Sequence, residues 1–364
     1  MVMIRVSIIG VTSYTGLELL RMLALHPEFV VTSVTARSAV GKRLDEVFPQ
    51  LAAVGYPGRQ DRPAVDPALI VTEEPEQSDL AFVCLPHAAA AESVLKLLER
   101  GVKVVDLSAD FRLRDVHVYE EWYKHTHPAP ALLETAVYGL CERYRERLHD
   151  TSLVANPGCH VTAAVLGLIP AFANNLIEPD VIVDSKTGIS GAGRSLALQN
   201  HFAEANEGAD AYGLSGHRHM PEIKQELEAA ASDAGYPIPN GLRITFVPHR
   251  IPMTRGILST SYTNLRINAD GRAPTTDEVR AIYKQYYAGE PFVHVANQPP
   301  QTKWTYASNH CFVYPIVDTR TNRLIVVSCL DNLVKGAAGQ AIQCANLVYG
   351  FPETMGIAGV GVNP

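Results

Sequence analysis

The sequence IRVSIIGVTSYTGLELLRMLAL, residues 4–25, joins an apolar run, a glycine turn and a helical pattern in direct succession. Residues 4–9 form a run typical of a buried strand, and residues 17–25 have apolar side chains at helical spacing. A glycine turn between a strand and a helix presents backbone N–H groups at the positive end of the helix dipole, where a phosphate binds. The stretch therefore predicts the first strand, turn and helix of an α/β domain with an anion site.

The turn GVTSYTG, residues 10–16, differs from two better-known phosphate loops. Gly10 and Gly16 have five residues between them and Leu17 follows, so the turn is not a P-loop. Thr12 and Thr15 occupy the later glycine positions of the GxGxxG pattern. An ordinary turn between a strand and a helix is the alternative interpretation. The candidate cofactor contacts in this turn are Gly10, Thr12, Ser13, Tyr14, Thr15 and Gly16.

The second strand, VVTSVT at residues 30–35, is followed by Ala36, Arg37 and Ser38. A dinucleotide domain that prefers NAD usually has an acidic residue about 20 residues after the glycine turn, and this residue binds the ribose 2′-hydroxyl. An arginine and a hydroxyl suit a 2′-phosphate instead, because a guanidinium offers two parallel charge-assisted hydrogen bonds. Arg37 and Ser38 therefore indicate NADP rather than NAD, with a solvated surface arginine as the alternative.

Short strand-like and helical runs alternate through the first third of the chain, and the pattern changes near residue 157. The first part continues with strands at 30–35, 80–85 and 102–107 and a helix at 88–100. This alternation predicts a parallel sheet with helices on both faces. The second part contains helices at 159–174 and 221–234, strands at 181–186, 242–248, 257–267, 311–317 and 324–329, and a last helix at 333–349. Consecutive strands predict a mostly antiparallel sheet in an α+β second domain.

The chain has 364 residues, more than one compact core usually holds, so we expect two domains. Its formal net charge is −7 and no basic stripe is evident, which argues against nucleic acid or an anionic membrane as a partner. The N-terminus has no signal-peptide pattern, and no run approaches the roughly 18 apolar residues of a membrane span. The six cysteines are scattered without metal-site spacing, so we expect reduced thiols in a cytoplasmic protein and no bound metal.

Cys159 follows the turn Asn156-Pro157-Gly158 and opens the helical run HVTAAVLGLIPAF. A thiol at a helix N-terminus lies at the positive end of the dipole, which favours the nucleophilic thiolate. The N–H groups of the same turn can bind an oxyanion formed on a substrate carbonyl. The alternative is a small buried core residue, which is our interpretation of the other five cysteines.

Two histidines, His217 and His219 in SGHRHMPEI, are candidates for the proton partner of this thiol. We do not expect a metal there, because no third ligand stands at suitable spacing, and we expect one of the two histidines to be structural. His160 adjoins the thiol, but adjacent residues of a helix point in different directions. The candidates for binding a phosphate or carboxylate are Arg112, Lys186, Arg194 and Arg218, each with a surface ion pair as its alternative.

Eight motifs follow one another along nearly the whole chain. They are GVTSYTG (10–16), LSADFRL (107–113), YGL (138–140), VANPGCHVTAAVLGLIP (154–170), TGISGAGR (187–194), HRHMPEI (217–223), RGIL (255–258) and DNLVKGAAGQAIQCAN (331–346). Together they resemble the N-acetyl-γ-glutamyl-phosphate reductase family, which is related to aspartate-semialdehyde dehydrogenase; the stretch 154–170 resembles its active-site signature. His160 departs from the pattern, because the family usually has Phe or Tyr at this position.

The resemblance implies a Rossmann-like NADP-binding domain over residues 1–157, to which the C-terminal helix and tail, 333–364, return. It implies a catalytic and oligomerisation domain over residues 158–332, in a homodimer or homotetramer. Cys159 would be the nucleophile and a histidine of the HRH motif the acid–base group, with His217 favoured over His219. The further contacts it implies are Pro86, Ser190, Gly191, Gly193 and Asn332 for the cofactor, and Arg112, Asn156, Lys186, Arg194 and Arg218 for the substrate.

The reaction implied by this resemblance is the NADPH-dependent reduction of N-acetyl-γ-glutamyl phosphate to N-acetylglutamate 5-semialdehyde, in arginine biosynthesis. The Cys159 thiolate would displace inorganic phosphate from this small-molecule acyl phosphate and form a thioester, which accepts hydride where a carboxylate resists it. Aspartyl phosphate and N-acyl-aminoadipyl phosphate are alternative substrates for the same chemistry, since one methylene discriminates by only about 1–3 kcal/mol. An alternative of another class is a non-catalytic, NADP-sensing binding protein.

Overall fold

The structure, a computed structural model, describes residues 3–53, 63–267 and 271–363. Contacts divide the chain into two compact units. The first contains Met1–Pro157 and Ala337–Ala358, and the second contains Gly158–Gly336 and Gly359–Pro364. Across the described residues, every helix is too short or too polar to cross a membrane.

The first unit is built on a parallel sheet, as the alternation in its sequence predicts. Its described strands are β1 (Ile4–Ile9), β2 (Phe29–Thr35), β3 (Leu80–Val83), β4 (Lys103–Asp106), β5 (Val137–Tyr138) and β6 (Leu153–Ala155). They are ordered β2-β1-β3-β4-β6-β5, and each neighbouring pair is parallel. The helices that follow them are α1 (Tyr14–Leu23), α2 (Leu44–Val47), α3 (Ala91–Glu99), α4 (Val116–Tyr123), α5 (Ala131–Thr135) and α6 (Cys141–Leu148).

Helices cover both faces of this sheet, which explains its continuous apolar strands. On one face, Val83 and Val104 of the strands pack with Val94 and Leu97 of α3. The other face is covered by a helix that returns late in the chain, at Gly339–Val348, and contacts β4, α6 and α1. Parallel β-strands with helices on both sides are the arrangement in which dinucleotides bind at the carboxyl ends of the strands.

The second unit is built on a mixed sheet in which antiparallel pairs predominate, as expected. Its described strands are β7 (Ile177–Thr187), β8 (Asp210–Ala211), β9 (Arg243–Arg250), β10 (Ile257–Leu265), β11 (Val293–Val295), β12 (Cys311–Asp318) and β13 (Arg323–Leu330). Their order is β11-β12-β13-β10-β7-β9-β8. The pairs β11–β12 and β7–β9 are parallel, and the other neighbouring pairs are antiparallel.

One long helix forms the centre of the second unit. The helices here are α7 (Cys159–Ala173), α8 (Phe202–Ala205), α9 (His219–Asp233), α10 (Thr276–Tyr286) and α11 (Thr302–Thr305), and the returning helix of the first unit is then α12. Helix α7 packs on β7, β10, β12 and β13 and is flanked by α9 and α10. It is buried from His160 to Phe172, while Cys159 at its start is partly exposed. This arrangement leaves the thiol accessible at the end of an otherwise buried helix.

The opposite face of the mixed sheet carries apolar side chains that are not fully covered. Ile182 lies directly opposite Tyr262 in the neighbouring strand, Tyr262 lies opposite Ile325, and Ile325 lies opposite Ile316. Directly opposite residues point to the same face. Ile182 is 45% exposed and the other three are partly exposed, so the four side chains form a continuous apolar row across β7, β10, β13 and β12.

Four helices begin differently from the sequence prediction. Helix α3, expected at 88–100, spans Ala91–Glu99. Helix α1 begins at Tyr14 rather than at residue 17, because Ser13 caps it and its Oγ accepts a hydrogen bond from the N–H of Gly16 at 3.0 Å. Helix α9 begins at His219, so Pro221 is its third residue and not its first; the first turn still tolerates a residue without an N–H. The last helix, expected at 333–349, is a π-helical turn at Val334–Ala338 followed by α12.

Candidate active site

Cys159 is the first residue of α7, and the peptide before it is held by hydrogen bonds. The N-cap residue, Gly158, has an extended backbone. Its N–H donates to Oε1 of Glu222 in α9 at 2.9 Å, and its carbonyl accepts from the N–H of Thr162 at 2.9 Å. A carboxylate on one helix therefore fixes the turn that positions the thiol at the positive end of another, where the thiolate is favoured.

Three histidine rings and a phenylalanine pack together next to this turn. The ring centroids of His217 and His219 are 4.7 Å apart, and His160 lies 6.2 Å from His217 and 5.8 Å from His219. Phe246 of β9 packs against His160 at 5.5 Å and against His217 at 5.3 Å. The fold thus brings both predicted histidines together with His160. In the described parts of the chain, no group of three or more His, Cys, Asp or Glu side chains is arranged to hold a metal ion.

His217 is neutral at physiological pH, and one hydrogen bond fixes where its proton resides. Burial, followed by the nearby charge of Arg218, lowers the pKa of His217 to about 4. Its Nδ1 accepts a hydrogen bond from the backbone N–H of His219 at 3.1 Å. Because Nδ1 acts as an acceptor, the single proton of the neutral ring is on Nε2. His217 therefore presents an N–H donor.

His160 extends the histidine cluster by hydrogen bonds to two hydroxyl groups. The Nδ1 of His160 lies 2.7 Å from Oγ of Ser185, and its Nε2 lies 3.1 Å from the hydroxyl of Tyr212. Burial, followed by the charge of His217, lowers the pKa of His160 to about 3. Burial, followed by the charge of Cys159, raises the pKa of Tyr212. At neutral pH the ring of His160 is therefore uncharged, and the Tyr212 hydroxyl keeps its proton.

The glycine loop of the second unit is tied to an asparagine at the end of β13. Asn332 accepts a hydrogen bond from the N–H of Gly256 at 2.8 Å and donates to Oγ of Ser190 at 3.0 Å. A Cβ on Gly191 would lie 3.3 Å from Oγ1 of Thr187, so the loop is close to β7. Gly193 has φ +74°, a backbone conformation that favours glycine. Of the predicted cofactor contacts in this unit, Ser190 and Asn332 touch each other directly.

The predicted basic contacts of the second unit do not form one group. Lys186 is adjacent in β7 to Ser185, which contacts His160, and consecutive strand residues face opposite sides of a sheet. The Lys186 side chain pairs with Asp184 at 2.8 Å on that opposite face. Arg194 is exposed on the glycine loop, and Arg218 is exposed between the two histidines, where its charge acts on His217. Arg218 is thus the predicted cation that lies at the histidine cluster.

The glycine turn of the first unit requires glycine at both ends. Gly10 has φ +81°, and a Cβ there would come within 2.7 Å of the carbonyl oxygen of Cys84. A Cβ on Gly16 would come within 2.4 Å of the carbonyl oxygen of Val11. Ser13 caps α1 with an oxygen that also lies 3.0 Å from Oγ1 of Thr15. The turn at residues 10–16 is therefore a close backbone cradle at a helix N-terminus, the form of a phosphate site.

The second predicted feature of the cofactor site follows β2. Arg37 and Ser38 are exposed and begin the short 3₁₀ turn Arg37–Ala39. The carbonyl of Thr35, at the end of β2, accepts the N–H groups of both Gly10 and Val11 at 2.9 Å. The end of β2 and the glycine turn are therefore directly joined. Pro86 follows β3 and its carbonyl accepts the N–H of Ala89 at 3.2 Å.

Two predicted substrate contacts, Arg112 and Asn156, lie together in the first unit. Arg112 is buried; its Nε donates to the carbonyl of Asn156 at 2.7 Å, and its Nη2 donates to the carbonyl of Leu107 at 2.9 Å. The amide nitrogen of Asn156 donates to the carbonyl of Ala337 at 3.3 Å. The guanidinium thus joins the segments that follow β4 and β6, immediately before the thiol-bearing turn in the chain.

Comparison with known proteins matches both units to family models. Residues 5–151 match the semialdehyde dehydrogenase NAD binding domain, and residues 159–332 match the semialdehyde dehydrogenase dimerisation domain. The N-acetyl-gamma-glutamyl-phosphate reductase of Dehalococcoides mccartyi is 49% identical over 362 residues, 99% of each chain. That of Heliobacterium modesticaldum is 45% identical over 366 residues, all of each chain. This chain belongs to the N-acetyl-gamma-glutamyl-phosphate reductase family.

Solved structures support the same fold at much lower sequence identity. Aspartate semialdehyde dehydrogenase II from Vibrio cholerae has a TM-score of 0.67 at 17% identity, covering 95% of this chain and 98% of its own. Aspartate semialdehyde dehydrogenase with NADP from Candida albicans has a TM-score of 0.65 at 18% identity, with the same coverage. The α/β fold expected from the sequence is thus confirmed, as is membership of the reductase family.

Five residues around the thiol of this reductase-family chain were missed by sequence reasoning. They are Ser185 and Tyr212 at His160, Glu222 at the N–H of Gly158, Gly336, on which a Cβ would lie 2.7 Å from the Cβ of Cys159, and Asp331, whose carbonyl accepts the N–H of Gly336 at 2.9 Å. Glu222, Asp331 and Gly336 lie inside motifs that carry the family resemblance, in HRHMPEI and DNLVKGAAGQAIQCAN, so all three were available as candidates. Tyr212 and Ser185 have no such signal, because only the fold places them around His160.

Proposed function

We propose that this protein reduces N-acetyl-γ-glutamyl phosphate to N-acetylglutamate 5-semialdehyde with NADPH, through a thioester on Cys159, in arginine biosynthesis. Full-length identity of 43–49% to N-acetyl-gamma-glutamyl-phosphate reductases supports the substrate. The observation that carries the chemistry is the partly exposed thiol at the N-terminus of α7, whose neighbour His160 packs with His217, a neutral histidine that presents an N–H.

The first step needs a nucleophile and a site for developing negative charge. The Cys159 thiolate attacks the acyl carbon, the C–O bond to phosphate breaks, and phosphate leaves with that bonding pair, so a thioester remains. Negative charge develops on the carbonyl oxygen as the sulfur adds. The N–H groups in the first turn of α7 lie at the positive end of the helix dipole, and together with Nε2–H of His217 they are suited to stabilise this oxyanion.

The first unit fits a dinucleotide. We propose that the turn at residues 10–16 holds the pyrophosphate, because Gly10 and Gly16 let its backbone close tightly on the carbonyls of Cys84 and Val11 at the N-terminus of α1, where N–H groups and the helix dipole favour a phosphate. Arg37 and Ser38 would bind the 2′-phosphate of NADP. Both side chains are exposed, and no acidic residue stands at this place to bind a ribose 2′-hydroxyl instead. When bound, the reduced cofactor supplies the hydride that takes the thioester carbonyl to the aldehyde level.

The last step releases the aldehyde from the enzyme thiol. The thiohemiacetal oxygen, negatively charged after hydride addition, takes a proton from a neighbouring acid and returns it as the C=O bond re-forms and the C–S bond breaks, so the sulfur leaves as thiolate. We assign this proton transfer to the HRH motif. His217, which already presents Nε2–H, is suited to hold the oxygen, and His219 at the first position of α9 is the neighbouring base.

The experiment that tests this function is a steady-state assay in the oxidative direction with phosphate. N-acetylglutamate 5-semialdehyde should be oxidised with NADP far faster than aspartate semialdehyde or an N-acyl-aminoadipate semialdehyde. Cys159→Ser should abolish the reaction and leave NADP binding intact, whereas Cys311→Ala, at a buried thiol of β12, should keep it. Full activity of Cys159→Ser would exclude the thioester, and a preference for another semialdehyde would exclude the substrate.

Separate histidine variants test the assignment of the two rings. His217→Gln keeps a side-chain N–H and should retain more of the rate than His217→Ala, because the donor role needs an N–H and no change of charge. His219→Gln removes a base and should lower kcat over the whole pH range in which the parent protein is active. If glutamine restores more of the rate lost in the alanine variant at position 219 than at position 217, the roles of the two histidines are reversed.

We propose that the protein is a homo-oligomer, dimeric or tetrameric, joined through the apolar row Ile182, Tyr262, Ile325 and Ile316. We expect the same sheet face of a second copy of the chain to cover this apolar row, because symmetric dimers bury identical surfaces against each other. The family model that matches residues 159–332 is described as a dimerisation domain. Ile182→Glu should give a smaller species in sedimentation or light scattering, and Ile267→Glu, an exposed residue beyond β10, should not. An unchanged mass for Ile182→Glu would exclude this face.

We propose a cytoplasmic location. None of the six cysteines, all of which lie in the described segments, is joined in a disulfide, which suits a reducing compartment. Fractionation of cells that express the full chain should recover it with cytoplasmic markers. Recovery from a membrane or secreted fraction would contradict the proposal.

A further inference from the structure

Two stretches that carry the family resemblance have no role in the proposed reaction, and the fold brings them together. The motif YGL, at residues 138–140, is followed directly by Cys141, and the end of the last motif, QCAN at residues 343–346, contains Cys344. Cys141 is the first residue of α6 and Cys344 lies in α12, and these two helices pack on each other within the first unit. Two cysteines that are 203 residues apart in the sequence therefore meet in the fold.

The sulfur atoms of these two cysteines are in direct contact. Sγ of Cys141 lies 3.4 Å from Sγ of Cys344, and both side chains are fully buried. The Cys344 thiol donates to the carbonyl of Gly139 at 3.2 Å, so the Cys141 thiol is the donor between the two sulfurs. A Cβ on Gly139 would lie 3.2 Å from the Cys344 sulfur. The glycine of YGL thus leaves the space in which the second thiol lies and holds that thiol by its carbonyl.

A pair of cysteines in the second unit is arranged differently. Cys311 and Cys329 lie in the neighbouring strands β12 and β13, but Cys329 is opposite Phe312, so the two cysteines point to opposite faces of the sheet. Sγ of Cys311 lies 3.5 Å from Oγ of Ser328, and Sγ of Cys329 lies 3.8 Å from Oγ1 of Thr305. These two thiols have hydroxyl neighbours, whereas Cys141 and Cys344 have each other.

A covalent bond between Cys141 and Cys344 requires a small movement. The sulfur–sulfur distance in a disulfide is about 2.05 Å, so the two atoms must approach by about 1.4 Å. Helix α12 is buried along its whole length. Helix α6 is interrupted at Tyr144, which has a non-helical backbone with φ −117° and ψ 20°, so its first turn is the part that can move. Because both thiols are buried, a small oxidant reaches them when this turn opens.

We propose that Cys141 and Cys344 form a reversible oxidation site, at which a peroxide converts the two thiols into a disulfide that joins α12 to α6. In the first step one thiol takes an oxygen atom from the peroxide, which gives a sulfenic acid and, from hydrogen peroxide, water. In the second step the other thiol attacks the sulfenic sulfur: the S–S bond forms, the S–O bond breaks, and hydroxide leaves with the thiol proton as water. The two sulfurs together lose two electrons and the peroxide gains them.

The disulfide acts on the stability of the first unit. A bond between residues 141 and 344 closes a long loop, which removes many conformations from the unfolded chain. It also holds α12 on the sheet that this helix covers. A small-molecule thiol reverses the oxidation by exchange and becomes a disulfide itself, so both cysteines are reduced at rest in a reducing compartment. The site does not depend on the chemistry of Cys159, and it can fail while the proposed reductase function holds.

The test uses the full chain with Cys159→Ser, because the partly exposed Cys159 thiol also reacts with peroxide. The folded protein is treated with hydrogen peroxide, unfolded, alkylated with iodoacetamide and digested for mass spectrometry. We expect one cross-link, between the peptides that contain Cys141 and Cys344, and we expect dithiothreitol to remove it. Cys311 and Cys329 are the matched control pair and should each be alkylated separately, because they face opposite sides of their sheet.

Urea unfolding measures the consequence for the fold. Trp122 lies in the first unit, so its emission in a Trp304→Phe background reports unfolding of that unit. Oxidation should lower the ratio of unfolded to folded protein by at least about 30-fold, the effect of a disulfide that closes a long loop. Cys141→Ser should remove this effect, and so should Cys344→Ser. If one of these variants does not fold, the other provides the control.

Three results would overturn this proposal. Separate alkylation of Cys141 and Cys344 after peroxide treatment would show that the two sulfurs do not close into a bond. Comparable amounts of cross-links to Cys311 or Cys329 would show that bonds form in the unfolded chain and not at this contact. A specific cross-link between Cys141 and Cys344 without a change in the urea midpoint would mean that the bond does not hold α12 in place.

Discussion

A Cβ atom on Gly336 would come within 2.7 Å of the Cβ of Cys159. The backbone that follows β13 therefore packs directly on the nucleophile, and the N–H of Gly336 is held by the carbonyl of Asp331 at 2.9 Å. Gly336→Ala must displace either this turn or the first residue of α7. We expect kcat to fall on the order of 100-fold in the oxidative assay, because a shift of about 1 Å in a reacting group has this effect.

Gly359→Ala is the matched control for this substitution. A Cβ on Gly359 would meet nothing within 4 Å, so the same change of residue type is made without a steric conflict. It should keep the parent rate. If Gly336→Ala keeps both the activity and the melting temperature of the parent protein, the prediction is wrong. The turn then makes room for the added Cβ and the position of the Cys159 thiol does not change.

The glycine turn of the first unit offers a pair of substitutions that separate backbone strain from steric conflict. Gly10 and Gly41 have nearly the same φ, +81° and +83°, but a Cβ on Gly10 would meet the Cys84 carbonyl oxygen at 2.7 Å and one on Gly41 would meet nothing. Both alanine variants should lose about 1 kcal/mol from the conformation itself. Only Gly10→Ala should also lose dinucleotide binding, measured by titration of NADPH fluorescence.

Equal NADPH affinity in the two alanine variants would contradict the assignment of the turn to the cofactor. A common loss of stability with no difference in binding would leave the turn a structural connection between β1 and α1. The comparison uses chemical unfolding for stability and the fluorescence titration for binding, so the two effects are read separately.

The alternation of strands and helices in the sequence was enough to predict the parallel sheet, because local periodicity reports which elements are buried. Position along the chain was also enough to place Cys159 at a helix N-terminus, since this cysteine follows Pro157-Gly158 and precedes an apolar helical run. Tyr212 and Ser185 could not be predicted in this way. They are far from Cys159 in sequence and from each other, and their meeting at His160 depends on how β7 and the chain after β8 are placed by the sheet.

Lys186 illustrates a different limit of sequence reasoning. Strand periodicity requires that Ser185 and Lys186 face opposite sides of the sheet, but it does not say which side carries α7. The glycine loop that follows made Lys186 an attractive anion ligand. In the structure the smaller residue faces His160, and the lysine pairs with Asp184 on the other face. Only the packing of the long helix decides between these two possibilities.

The cofactor prediction rests on the residues that follow β2. Arg37→Ala should raise the KM for NADPH by more than about tenfold and leave the KM for NADH nearly unchanged, because the lost interaction is with the 2′-phosphate alone. The measurement is a pair of steady-state titrations with each cofactor. Arg21→Ala, whose guanidinium pairs with Glu18 on α1, is the control for loss of a surface arginine. A parent preference for NADH would overturn the choice of NADP.

Because histidines such as His160 are buried, the protein should lose free energy of unfolding as the pH falls, and substitution of His160 should reduce this loss. The unfolded chain takes up a proton on His160 near pH 6.5, whereas the folded chain does so only near its pKa of about 3. Between these values the unfolded state binds more protons, so the free energy of unfolding falls as the pH falls, by up to about 1.4 kcal/mol per pH unit for this residue.

His160→Gln removes this titration and should make the second unit less sensitive to acid by about 2 kcal/mol between pH 7 and pH 5. The chain has two tryptophans, and Trp304 is the one in the second unit, so its emission in a Trp122→Phe background reports unfolding of that unit. His149→Gln, at an exposed histidine, should keep the acid sensitivity of the parent protein. The same loss of stability in His160→Gln as in the parent would mean that His160 is already protonated in the folded chain, which would contradict the neutral ring in the histidine cluster.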